Sequence, residues 1–200
     1  MPSWEGRMRR HAGIAIAALV ASVGLMVASA PMASAKTVDV DEWAEGFCNA
    51  VEDWQTTALK AHDLVDNVIE NGVSSSSKAK SAQKKIVDAL AAASKKSTST
   101  SKAVKDLGAP AVANGSKIST TIATAIGDTA EAFSDAKDAV AKASTDPKKF
   151  RAKVKTVSAE VDSDLAKAGE DISDIDTLDK GGELDDAFNA EPACSFLTDS

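Results

Sequence analysis

The chain has no tyrosine, five phenylalanines and three tryptophans in 200 residues, with only two histidines and two cysteines. At 4% aromatic against 44% hydrophobic residues overall, its interior must be built from aliphatic and small side chains. Such a chain suits one compact domain of modest stability, and not two. The net charge of −7 and an isoelectric point near 4.9 exclude a general nucleic-acid binder, which carries a basic excess to displace counterions.

The shortage of ligating side chains restricts the chemistry in the same way. No Glu-x-x-His pair of the di-iron bundles occurs, because the residue three before His62 is Leu59. Haem held by His and Met has no support, and His62 as a lone haem ligand competes with a plain reading as a partly exposed helical histidine beside Asp63. The run Asp171-Ile172-Ser173-Asp174-Ile175-Asp176 lacks the glycine and terminal glutamate of a calcium loop and reads as a solvated face. There is no Gly-x-Ser-x-Gly elbow and no glycine-rich phosphate loop, and Ser74 to Ser77 reads as a flexible polar loop. These observations predict a non-enzymatic protein with no catalytic residues, no metal and no cofactor.

What is present begins with a leader. Arg7, Arg9 and Arg10 precede an apolar run from about Gly13 to Ala30, and Ala33-Ser34-Ala35 stands before Lys36. That order predicts a secretory signal peptide over 1–35, cleaved after Ala35. An uncleaved membrane anchor is the alternative, since the run approaches bilayer-spanning length. Arg9-Arg10 leaves the twin-arginine and general routes both open. Cleavage takes the charged residues from 23 basic and 30 acidic to 20 and 29, a net of −9. All four methionines leave as well, His62 becomes the remaining histidine, and no transmembrane segment is left.

The rest, 36–200, reads as one helical domain. Apolar or small residues recur at steps of three and four in four stretches, with helices expected at about 41–71, 78–107, 111–144 and 147–179 and a short one at about 183–190. Asp39 or Asp41 can cap the first helix, and Asn71-Gly72 ends it. The second has a coiled-coil-like alternation through Ile86, Leu90, Ala93, Ser97, Thr100, Val104 and Leu107. Its hydroxyl-rich middle, Ser94 to Ser101, predicts a fray or bend. Gly115 and Gly127 weaken the third, and Asp146-Pro147 opens the fourth. Short connections between long helices predict an all-α, antiparallel up-down-up-down four-helix bundle, each helix about 45 Å long.

In that topology Cys48, near the start of the first helix, and Cys194, beyond the fourth, meet at one pole and form a disulfide. Trp43, Phe47, Trp54, Phe188 and Phe196 are expected as a hydrophobic plug around it.

Charge is unevenly distributed. Residues 39–70 hold nine acids against Lys60, while the second helix holds eight lysines against Asp88 and Asp106, so these two helices should attract. The bundle would gather Lys78, Lys80, Lys84, Lys85, Lys148, Lys149, Arg151, Lys153 and Lys155 at one pole. Asp41, Glu42, Glu45, Glu170, Asp171, Asp174, Asp176, Asp179, Glu183, Asp185 and Asp186 would gather at the other. In the fourth helix this opposes the macrodipole, so helix stability does not explain it. The functional expectation is a cationic end that docks onto an anionic wall polymer or lipid headgroups, salt-sensitive in its binding. The alternative is a solubilising surface whose cations pair with Asp63, Asp66 and Glu70.

The leader, Phe47-Cys48-Asn49-Ala50-Val51 with Trp54, the Ala/Lys/Ser/Asp-rich helical body and the final Cys194 together resemble the small exported helical proteins of high-GC Gram-positive bacteria. That resemblance implies secretion and a helical fold and carries over no functional residue. Trp43-Ala44-Glu45-Gly46 is one residue too long for the WXG helical hairpins, which also lack a cleaved leader. Two functions follow: a secreted, disulfide-locked bundle that binds at the cell envelope through its basic pole, or an extracellular carrier of a small apolar ligand near Trp43 and Trp54. A purely structural secreted protein would do neither.

Overall fold

The computed structural model describes residues 36–173 and 175–195, with no side-chain description at 171–173, 175 and 176. The leader read at 1–35, Asp174 and Phe196 lie outside the described residues, as do the side chains of Asp171, Ile172, Ile175 and Asp176. The described chain is mostly helical: α1 (Val40–Asn71), α2 (Ser76–Leu107), α3 (Gly115–Ala141), α4 (Pro147–Ser173), α5 (Ile175–Leu178) and α6 (Glu183–Ala190), followed by a 3₁₀ turn at Pro192–Cys194. Among the described residues no helix is long and apolar enough to cross a membrane.

Each long helix starts and stops for a local reason. The Asp39 carboxylate accepts from the Asp41 amide at 3.0 Å, and Gly72, at φ 63°, ends α1. Ser75 caps α2, so Ser76 and Ser77 form its first turn and are not part of a loop. Asp146 caps α4 through the Lys149 amide at 3.0 Å. Helix α3 starts four residues later than the period implied. Asn114 adopts a left-handed conformation at φ 59°, and Gly115 packs so closely on Pro110 that an added Cβ would lie 2.0 Å from the Pro110 carbonyl oxygen. At the other end α3 stops at Ala141, where Gln83 of α2 donates to the carbonyls of Val140, Ala141 and Ala143 at 2.8, 3.2 and 3.0 Å.

One feature has no strand-like signal in the sequence. Two-residue strands, β1 (Thr37–Val38) and β2 (Ala109–Pro110), pair in parallel, with Thr37 opposite Ala109 and Val38 opposite Pro110. Two residues are too few to show alternation. The pairing ties the segment before α1 to the α2–α3 connection, where Trp43 Nε1 also donates to the Gly108 carbonyl at 3.1 Å.

Helix α2 packs between α1 and α3, and α4 packs closely on α3 and more thinly on α1. The buried apolar residues form two clusters. One surrounds the Cys48–Cys194 disulfide, whose Cα atoms are 5.1 Å apart, and joins Trp43, Phe47, Val104, Ile118 and Leu184. The other joins Val65, Ile86, Leu90, Phe133, Phe150 and Val154. Trp43 stacks on Phe47 at 5.2 Å, and Phe188 covers both at 6.2 and 5.4 Å. Trp54, half-buried and farther along α1, packs against this same cluster without stacking on these rings.

The expected fray in α2 does not occur: Thr98 and Ser99 bond back within the helix, and the other hydroxyls of the stretch are used between helices. Ser94 and Ser101 donate to the carbonyls of Ala130 and Ala123 on α3 at 2.8 and 2.5 Å, and Thr100 donates to Ala50 on α1 at 3.3 Å. Ser97 is fully buried between Trp54 and Thr129. A hydroxyl that is a poor helix former in isolation is here the partner of a neighbouring helix.

Candidate functional site

The thin contact between α1 and α4 leaves an apolar groove of about 230 Å³. One wall is α1, with Trp54, Ala58, Leu59 and Val65, and the other is α4, with Val157, Val161, Leu165 and Gly169. Ile126 and Phe133 of α3 and Leu90 of α2 form the floor. The groove exists because the two clusters divide along α1 and α4. Phe150, Val154 and Val157 bury the first half of α4 in the second cluster, whereas Val161 and Leu165, farther on, stay half-buried. Small residues at Ala58, Ala61 and Gly169 do not fill the gap. Leu59, 37% exposed, is the large hydrophobic left open among the described residues, and it stands on the groove wall.

Two polar groups of the groove, on Trp54 and Thr129, are internally satisfied. Trp54 Nε1 donates to Ser97 Oγ at 2.8 Å, and the Thr129 hydroxyl donates to the Ile126 carbonyl at 2.7 Å. At the mouth, His62 Nδ1 lies 3.3 Å from Asp66 and Nε2 lies 3.7 Å from Asp162 of α4, so the imidazole bridges the two walls. The sequence placed His62 beside Asp63, but the helical i,i+4 spacing brings it to Asp66 instead. Trp43, the other tryptophan expected at a ligand site, is fully buried in the disulfide cluster. Nothing in the apolar stripes distinguished a packed face from an open one, so only Trp54 of the two belongs to the groove.

The nine cations singled out from sequence occupy the first turns of α2 and α4. Arg151 Nε donates to the Ile69 carbonyl at 2.7 Å, with a second bond from Nη2, which sets the start of α4 beside the end of α1. The Gln83 bonds to the end of α3 join the start of α2 to the same region. Two of the nine have structural partners: Arg151 completes the end of α1, and Lys84 pairs with Asp88 at 2.6 Å. The other seven form no ion pair with Asp63 or Glu70. Between α1 and α2 the structure shows the Lys96–Asp53 ion pair at 3.1 Å. Of the opposite group, Glu183, Asp185 and Asp186 stand in the first turn of α6, where the macrodipole favours them, and Asp179 accepts from the Leu184 amide at 2.8 Å.

Among the described residues no set of three or more His, Cys, Asp or Glu side chains converges to hold a metal ion. Comparison of the chain with protein-family models, with curated proteins and with solved structures finds no match.

Proposed function

We propose that this is a non-enzymatic binding protein that carries a small apolar ligand in the groove between α1 and α4. The observation that carries the reading is the groove itself: a mainly apolar cleft of about 230 Å³ in which the Trp54 indole and the Thr129 hydroxyl already have partners. A ligand there needs no hydrogen bond from Trp54 or Thr129 and gains by covering Leu59, Val161 and Leu165. The volume suits a single hydrocarbon chain or a small ring system.

The same reading takes the four long helices as an antiparallel up-down-up-down bundle. Paired residues support it: Trp43 with Gly108 and Trp54 with Ser97 between α1 and α2, Ser101 with Ala123 and Gln83 with Val140 between α2 and α3, and Arg151 with Ile69 between α4 and α1. It also takes the protein as exported and acting outside the cell, for which the leader and a disulfide are the support. A second role, docking at the cell envelope through the basic end, is favoured by the seven cations that form no ion pair among the described residues.

The test is titration of the oxidised protein with N-phenyl-1-naphthylamine, a neutral apolar dye, read by tryptophan quenching and dye emission. Saturable, salt-insensitive binding that is lost when Ala58→Phe and Gly169→Leu narrow the groove is expected. No saturable binding, or binding unchanged in that variant, overturns the reading.

A further inference from the structure

We infer that the basic end docks on an anionic lipid surface, an inference that rests on the envelope-docking reading and names its surface. Lys78, Lys80 and Lys85 on α2 and Lys148, Lys149 and Lys155 on α4 are exposed. None makes an ion pair with another described residue. Neither α2 nor α4 has an acid in its first turn. The ends of α1 and α3 lie at the same pole and Asp146 caps α4, so the helix dipoles offset one another there, and the lysine side chains themselves carry the positive charge that a layer of negative charge would relieve.

The shape of the patch separates a lipid layer from a linear polyanion. A polymer laid along the molecule would be followed by a stripe of free cations running the length of α2. Beyond its first three turns that stripe thins to Lys95 and Lys105, because Lys96 pairs with Asp53 and Lys102 with Asp106. The free charge is densest end-on, where α2 and α4 both start, which fits a flat surface.

Helix α4 also links this end to the groove. Lys149 stands in its first turn and Val157 begins the groove wall, eight residues and about 12 Å farther along the helix axis. A protein standing on its basic end thus holds the groove within reach of a single acyl chain, and the membrane becomes the source or destination of its apolar cargo.

The experiment is co-sedimentation of the oxidised protein, recovered after export, with vesicles of pure phosphatidylcholine, with vesicles containing phosphatidylglycerol and with purified wall sacculi, at low and high salt. A Lys78→Glu, Lys80→Glu, Lys148→Glu, Lys149→Glu variant accompanies it. Glutamate is favoured at the start of a helix, so this variant keeps its fold, and its thermal unfolding checks that it does. The expected result is partition to the phosphatidylglycerol vesicles that falls with salt and falls about a thousandfold or more in the variant. Binding to sacculi but not vesicles overturns the lipid assignment and keeps envelope docking. Binding to neither overturns both, and equal binding to both vesicle types overturns the electrostatic basis. The groove is tested separately, because the dye titration needs no membrane.

Discussion

Trp54 Nε1 donates to Ser97 Oγ at 2.8 Å, and Thr129 Oγ1 lies 3.0 Å from that same oxygen. Each hydroxyl has one proton, and that of Thr129 goes to the Ile126 carbonyl at 2.7 Å. The Ser97 proton is then directed to Thr129, giving a continuous sequence of bonds from the indole of α1 through α2 to the backbone of α3.

Ser97→Ala removes the central member of that sequence. The indole N–H and one lone pair of Thr129 lose their partner in a site where Ser97 is fully buried. The expected loss is about 1–2 kcal/mol of unfolding free energy. Urea unfolding measures it, and a red shift of tryptophan emission in the folded variant shows Trp54 turning to water.

The disulfide should contribute more than any single hydrogen bond. It closes a loop across a sequence separation of 146, which in the chain-entropy treatment corresponds to about 5 kcal/mol, with measured losses on removal generally about 2–5 kcal/mol. Guanidinium unfolding with and without reductant should show a loss in that range. Hydrogen exchange should rise first in α6 and at the start of α1, which the bond joins through the 3₁₀ turn. Protection unchanged there after reduction would show that Leu184 and Phe188 suffice to hold α6.

The helical period and the cysteine pairing were legible because each rests on a strong local or combinatorial signal. Apolar steps of three and four identify a helix whatever it packs against, and two cysteines allow one intramolecular bond. The groove was not legible, because Val157, Val161 and Leu165 continue a single stripe although only the first is fully covered. Ser97, Thr100 and Ser101 read as propensity defects for a related reason: propensity describes an isolated helix, and their partners are on α1 and α3. Arg151 read as one cation among nine, since sequence cannot place the Ile69 carbonyl beside it.

Three glycines should respond differently to alanine. Gly108 has φ 93°, and an added Cβ would stand 2.2 Å from the Lys36 carbonyl oxygen, so Gly108→Ala must displace β1 and is expected to cost about 1–3 kcal/mol. Gly182, at φ 70° with no atom near an added Cβ, should lose only the cost of the left-handed backbone, about 1 kcal/mol. Gly169 lies inside α4 with open space beside it, so Gly169→Ala should stabilise by about 0.5–1 kcal/mol. Denaturant midpoints of the three variants give the order directly.

Arg151 and Lys149 share a charge and a helix turn but should separate in their effects. The Arg151 guanidinium supplies two bonds to a carbonyl at the end of α1, which also lacks any basic residue in its last turn. Removing it leaves the Ile69 carbonyl without its side-chain donor and the thin α1–α4 contact weakened, so Arg151→Ala should lower stability by about 1 kcal/mol. Lys149 has no side-chain partner among the described residues, and its amide bond to Asp146 survives substitution. Lys149→Ala should therefore leave the urea midpoint unchanged while reducing the slope of vesicle partition against salt, whereas Arg151→Ala should move the midpoint. If both variants move only the midpoint, the basic end is a structural feature of α4 and not a docking surface.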